Sequence, residues 1–296
     1  MTETFVAPST IRPTEAALCA DVLGVNLQSP SSRDISVIRD ALRDHLVVRL
    51  RGHTLDDVAF TRLAEQFGEL EGSPDFSRSR AVYVPESPKM TVVSNVTEDG
   101  KPVGDHGDGE LNWHTDQGFV ERPSGYTFLL ARETPSTGGN TSFANMYRAY
   151  ERLSDEVKRK IARLKLKHQE SHTAQGIPRP GYRDINTSDP RELPGPQHPL
   201  VRTHPESKRK ALYLGRRFGA YIPGLPLAES EALLDLLWSS AGRPEDVWTQ
   251  EWKVGDLIVW DNRCTMHRGR PFDETQPRDL RRITTQDTES TLDQAA

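Results

Sequence analysis

Two stretches of the chain combine residues whose types and spacing could carry chemistry. The first, Asn112-Trp113-His114-Thr115-Asp116, sets an imidazole and a carboxylate one residue apart. In extended form His114 and Asp116 point to the same side, because side chains alternate with period two along a strand, so both can grip one metal ion. The second runs from Gly255 through the apolar Leu257-Ile258-Val259-Trp260 to His267, the best candidate for a third ligand. Two histidines and one carboxylate on one face of an octahedron leave three positions open, the arrangement that non-haem Fe(II) oxygenases use. His45, His53, His168 and His198 stand outside any such spacing and read as surface or hydrogen-bonded structural residues.

Three arginines follow His267: Arg278, Arg281 and Arg282. If Leu280 to Thr284 forms a strand, Arg281 and Arg282 face opposite ways and one of them can point inward. A buried guanidinium calls for an anionic partner, and a carboxylate meets it with two parallel hydrogen bonds. That partner can be a ligand or a structural Asp or Glu, and the pattern alone leaves both open.

The elements that must position these groups alternate in kind. Asp34 to Asp44 has helical spacing with Ser32 or Asp34 as cap, Leu46 to Leu50 reads as a core strand, and a second helix opens at Thr54 to Asp57 and ends at Gly68. Short strand-like runs follow at 81–84, 90–94, 126–131, 200–203, 211–214, 248–252 and 256–260, with a turn at 135–140. Helical patterning occupies 146–167, with an internal start at Ser154 and Asp155, and 229–239. The stretch 171–199, rich in Pro, Gly, Asp and Ser, reads as a lid or active-site loop. Many short strands with helices at the flanks predict a mainly β fold, a double-sheet jelly roll of the double-stranded β-helix, cupin-like kind, which encloses a site in its mouth. The expected organisation is one domain over 1–296, with its core at about 34–286 and a flexible tail at 287–296.

Composition narrows the function classes. With 38 basic and 43 acidic residues the formal net charge is −5, so the basic footprint of a nucleic-acid binder is missing. The run Lys158-Arg159-Lys160 reads as the solvated face of a helix. No stretch approaches the ~20 apolar residues of a membrane span, and residues 1–13 lack the pattern of a signal peptide, so a cytoplasmic protein is expected. The two cysteines, Cys19 and Cys264, are far apart and read as reduced thiols, Cys264 as a small buried apolar residue.

Several blocks together carry a family resemblance. WHTD at 113–116, PSTGGNTSFANMYRAYE at 135–151, LVRTHP at 200–205, WDNRCTMHRGRPFD with RDLRRITT in 253–285, and VVRLRGHTL with FGELEG in 47–72 fall in the family's order. The chain resembles the Fe(II)/2-oxoglutarate-dependent dioxygenases of the taurine dioxygenase and 2,4-dichlorophenoxyacetate dioxygenase group. The resemblance implies that His114, Asp116 and His267 hold Fe(II), that 2-oxoglutarate chelates it and that O2 takes the last position. It further implies that Arg282 and the Thr141 hydroxyl meet the distal carboxylate of 2-oxoglutarate, with Arg278 near its metal-bound end. Trp260 and Phe143 are expected to pack around the co-substrate.

The implied reaction hydroxylates a small organic substrate, an aryloxyalkanoate or related carboxylate, while 2-oxoglutarate becomes succinate and CO2. Where the hydroxylated carbon bears a heteroatom, its bond to that atom breaks. Asn95, in Val93-Ser94-Asn95-Val96, and His204 match positions on the substrate side, His204 being equally open to a structural role. The acidic loop 104–110 sits less easily with an anionic substrate. A homo-oligomer is expected. Within the family, a sulfonate or natural-product-tailoring dioxygenase is the alternative. Outside it stand a zinc hydrolase, which would work without O2, and a metal- or 2-oxoglutarate-binding sensor without turnover.

Overall fold

The computed structural model describes residues 8–72, 82–84, 87–104, 111–172, 178–179 and 181–288. The acidic loop 105–110, the tail 289–296 and parts of the expected lid lie outside the described residues. The strands of the larger sheet are β1 (Thr10–Pro13), β2 (Ala20–Leu23), β3 (Val47–Leu50), β4 (Val82–Val84), β5 (Ser87–Ser94), β6 (Ser124–Glu133), β9 (Leu257–Asp261) and β11 (Asp279–Gln286). A smaller sheet holds β7 (Thr141–Asn145), β8 (Val247–Gln250) and β10 (Thr265–Gly269). The larger sheet runs β1-β2-β3-β9-β6-β11-β5-β4, and the smaller one β8-β7-β10. All pairings are antiparallel except β2 with β3.

Alternation along these strands creates two apolar layers. Val47, Leu129, Ala131, Ile258, Trp260 and Leu280 face inward, where Phe143, Trp248 and Met266 of the smaller sheet cover them. Val48, Leu50, Phe128, Leu130, Val259 and Ile283 face the other way, under α1 (Ser32–His45) and α2 (Asp57–Glu65). Because side chains alternate, a one-residue slip of β6 or β9 would exchange the two layers. The inner layer, between the sheets, is where the functional groups lie.

The helices differ from expectation at their ends. The cap of α1 is Ser31, whose hydroxyl accepts from the Asp34 backbone N–H while the Asp34 carboxylate accepts from Ser31 N, a capping box one residue upstream of the expected start. The patterning over 146–167 resolves into α3 (Met146–Glu151), α4 (Asp155–Ile161) and a strand, Lys165–Lys167. Asn145 and Ser154 supply separate caps, so the chain restarts instead of continuing one helix. The last helix, α5, spans Leu227–Ser240. Part of the expected loop 171–199 is strand: Gln197–Pro199 pairs with Lys165–Lys167. Cys264 is buried, and burial holds its thiol far above the usual range. Among the described residues, no helix is long and apolar enough to cross a membrane.

Candidate metal centre

His114 reaches the inner layer on a single bridge, not on a regular strand. Its backbone N–H donates to His267 O at 2.9 Å, and His267 N–H donates back to His114 O at 2.8 Å. This antiparallel pair sets the two imidazoles side by side, with ring centroids 4.2 Å apart. The backbone turns just after Asp116, and the carboxylate swings between them: Asp116 Oδ1 lies 3.9 Å from His114 Nε2 and 3.7 Å from His267 Nε2. One ligand atom from each of the three residues lies within 4.8 Å of the others, and all three residues are buried.

The protonation states suit a cation. His114 Nδ1 lies 2.8 Å from Asn112 O, and since a carbonyl only accepts, Nδ1 carries the hydrogen. Nε2 therefore keeps its lone pair, and among the described residues it is buried with no hydrogen-bond partner. Burial, reinforced by His267 and Arg216, holds His114 well below the usual imidazole range, so it is neutral. Burial alone would push Asp116 up, but His267, Arg282 and the Thr127 hydroxyl outweigh it and keep the carboxylate ionised. A neutral imidazole with an orphaned lone pair beside a buried carboxylate is the donor set a divalent metal needs.

A second layer of contacts fixes these ligands. Thr127 Oγ donates to Asp116 Oδ2 at 2.7 Å and accepts from Asn262 Nδ2 at 2.8 Å. Asn262 Oδ1 accepts from Trp260 Nε1 at 3.1 Å and from the Asp116 backbone N–H at 3.3 Å. Trp260 and Phe143 wall the His267 ring, with centroids at 4.7 and 6.0 Å. Sequence reasoning missed Thr127 and Asn262. The signal was faint: a threonine at an inward position of β6, and an asparagine directly after the most apolar strand.

The arginines divide as alternation requires. Arg281 pairs with Asp279, while Arg282 faces inward, with Nη1 3.8 Å from Asp116 Oδ1 and Nε donating to Thr91 Oγ at 3.3 Å. Arg278 donates from Nε to Gly139 O at 3.3 Å, two residues before Thr141. Thr141 Oγ accepts from Trp252 Nε1 at 3.0 Å, which leaves the hydroxyl proton to donate elsewhere. Thus Arg282 stands beside a metal ligand, whereas Arg278 stands at the turn that leads into Thr141.

The two residues matched to the substrate side are occupied. Asn95 Nδ2 donates to the carbonyls of Glu274 and Gln276 at 3.0 and 2.9 Å, and its Oδ1 accepts from Arg278 N at 2.8 Å. Asn95 therefore ties down the loop that carries Arg278. His204 Nε2 donates to Asp261 Oδ2 at 2.9 Å, and its Nδ1 accepts from the backbone N–H groups of Glu206 and Ser207. With both ring nitrogens engaged and Asp261 also gripped by Arg263, the cluster of His204, Asp261 and Cys264 is structural, although its spacing could admit a metal.

Comparison with known proteins agrees with this geometry. The chain is 34% identical over 266 residues to an alpha-ketoglutarate-dependent 2,4-dichlorophenoxyacetate dioxygenase from Burkholderia sp. (strain RASC), covering 86% of each. It is 33% identical to pentalenolactone F synthase from Streptomyces arenae, over 83% of this chain and 84% of that one. Among solved structures, AAD-2 in complex with Mn(II) and N-oxalylglycine matches with a TM-score of 0.78 and 31% identity, covering 96% of this chain and all of that one. Residues 10–284 match the family described as taurine catabolism dioxygenase TauD, TfdA family, and to that family the chain belongs.

Proposed function

We propose that the chain is a dioxygenase that couples oxidation of 2-oxoglutarate to hydroxylation of a small organic acid, within a double-stranded β-helix formed by the two facing sheets. The observation that carries this reading is the buried His114, Asp116 and His267 triad, with the lone pair of His114 Nε2 left for a metal. These three residues would hold Fe(II). Bound there, the metal with 2-oxoglutarate and O2 supplies the oxidising power, giving succinate, CO2 and a hydroxylated substrate.

The chain's own groups bind, orient and exclude water. We assign the distal carboxylate of 2-oxoglutarate to Arg278 and the Thr141 hydroxyl, since Arg278 sits at the Gly139 turn and Thr141 has a proton to donate. Arg282, 3.8 Å from Asp116 Oδ1, is better placed for an acidic group of the primary substrate held next to the metal. This moves the distal carboxylate from Arg282, expected there from sequence, to Arg278, and gives Arg282 a substrate-side role in place of it. The reason is inward alternation along β11, which carries Arg282 to the triad, while Arg278 precedes that strand. Trp260 and Phe143 shield the His267 side from solvent. Relatives act on aryloxyalkanoates, by their names, and this is the substrate class we propose to test first.

The test is succinate formation from 2-oxoglutarate with Fe(II), ascorbate and O2 over a panel of aryloxyalkanoates, sulfonates and sulfate esters, with an anaerobic control. Oxygen-dependent succinate that rises with one acid is the expected result. Absence of even uncoupled succinate, together with Zn(II) binding as tight as Fe(II), would overturn the reading in favour of a hydrolase.

A further inference from the structure

The outer face of the smaller sheet carries a polar row that the metal centre does not use. Phe143, stacked on Trp248 and on His267, points inward with them, so alternation turns Ser142, Thr249 and Arg268 the other way. Register sets these three side by side, Thr249 opposite Ser142 and Ser142 opposite Arg268. The row ends at Trp113, which the bridge between His114 and His267 brings beside Arg268. The Arg268 guanidinium carbon lies 4.7 Å from the Trp113 ring centroid. Behind that ring Gly242 has φ of +66°, and a Cβ there would lie 2.8 Å from Trp113 Nε1, so glycine lets the chain close on the indole.

A second guanidinium folds onto the same row. Arg270 follows β10, and its backbone N–H donates to Asn140 O at 2.8 Å. Its Nε donates to Ser142 Oγ at 3.1 Å, and Ser142 Oγ lies 2.9 Å from Thr249 Oγ. Ser142 can therefore accept from Arg270 and pass its own proton to Thr249, which leaves the Thr249 proton for an outside acceptor. Arg268 and Arg270 thus meet at Ser142, one by register and the other by hydrogen bond. Neither has a carboxylate partner among the described residues, whereas Arg49, Arg51, Arg152, Arg202, Arg263 and Arg281 each have one. In a chain with 43 acidic and 38 basic residues, two neighbouring cations left without a counter-charge call for one from outside. Arg268 Nε is buried with no hydrogen-bond partner, while Arg268 as a whole is half-buried and Arg270 is exposed, so the pair opens outward.

We propose that Arg268, Arg270 and the Thr249 hydroxyl form a binding site for a phosphate-type oxyanion on the outer face of the smaller sheet. A carboxylate has two oxygens in one plane and is satisfied by a single guanidinium fork. Two guanidiniums and a hydroxyl together match an anion with three or more acceptor oxygens. The stack on Trp113 and the bond to Ser142 order both arginines in advance, which lowers the entropic cost of binding. The site lies across the sheet from the triad and stands whether or not the dioxygenase reading holds. Inorganic phosphate and a phosphate monoester offer it the same chemistry.

The test is calorimetric titration of the full chain with inorganic phosphate, phenyl phosphate and acetate at fixed ionic strength. It is run on the wild type and on Arg282→Gln, which removes the anion position beside the metal. Phosphate should bind both saturably, and Arg282→Gln about 10-fold or more tightly than acetate does. Adding Arg270→Gln or Arg268→Gln should weaken phosphate about 10- to 100-fold, the range of one lost charge-assisted contact, and Thr249→Val should cost less. Arg270 is exposed, so its substitution leaves the fold in place. Phenyl phosphate binding as tightly as phosphate assigns the site to monoesters, and its exclusion assigns it to the free ion. Absence of saturable phosphate binding in Arg282→Gln, equal affinity for acetate, or an affinity unchanged by both added arginine substitutions would each overturn the proposal.

Discussion

At the scale of single residues, the site depends on hydrogen-bond polarity as much as on the ligands. Thr127 has one proton and gives it to Asp116 Oδ2, so its oxygen is free to accept from Asn262, whose own oxygen takes the Trp260 and Asp116 N–H groups. Every member has one allowed orientation, which fixes the carboxylate before any metal arrives. Thr127→Val keeps the shape and removes the donor. Metal affinity, measured by Mn(II) titration, should fall about 10- to 100-fold, the usual cost of losing a partner behind a metal ligand. An unchanged affinity would show that the bridge at His114 alone positions the site. The triad was legible because His-X-Asp and a later histidine after an apolar strand form a pattern. Thr127 and Asn262 were not, because a second layer is defined by contacts between distant segments and has no spacing of its own. Asn95 and His204 show the converse. Their family positions suggested substrate, but only coordinates show that their polar atoms are already engaged.

At the scale of elements, the turn before β7 sets the co-substrate end. Gly138 and Gly139 have φ of +79° and +64°, left-handed values that glycine adopts freely, and Pro135-Ser136-Thr137-Gly138-Gly139-Asn140 was recognisable as a turn for that reason. Its chemical consequence was not recognisable. A Cβ on Gly139 would lie 3.2 Å from Cδ and Nε of Arg278. Gly139→Ala should therefore displace the guanidinium and raise the KM for 2-oxoglutarate several-fold, with a stability loss of about 1 kcal/mol from the strained φ. A raised KM with metal affinity unchanged would place the effect at Arg278, whereas an unchanged KM would return the distal carboxylate to another arginine. Core strands and helix spans came close to expectation because burial imposes periods of two and 3.6. The 146–167 stretch did not, since two good caps, Asn145 and Ser154, interrupt a helical pattern that propensity alone would carry through.

At the scale of the whole molecule, the interior between the sheets is charged on one side, and stability should carry the mark. Glu71, which follows α2, accepts from Ser124 Oγ and Thr284 Oγ and feels the charges of Asp116 and Arg282. Burial pushes its carboxyl up from 4.5 to about 7 against the pull of those hydroxyls. Between these values the folded protein holds a proton that the unfolded chain has released, so this group's contribution to stability is lost as pH rises, by about 1.4 kcal/mol per unit. Glu71→Gln removes the titration, and denaturant midpoints should show the variant gaining on the wild type from pH 5 to 7. Parallel curves would mean that Glu71 is ionised throughout.

The order of the larger sheet has one more consequence. β6 carries Tyr126, Phe128 and Leu130 on one face and Leu129 and Ala131 on the other, and among the described residues its neighbours are β9 and β11. Both are made more than 120 residues later than β6. During synthesis, β6, a long strand buried along most of its length, therefore waits with two open edges until residues 257–286 leave the ribosome, and such edges recruit other strands. His114 waits equally long for His267. A nascent chain released early would thus lack the metal centre and expose its most adhesive segment, which ties the yield of active protein to the completion of translation.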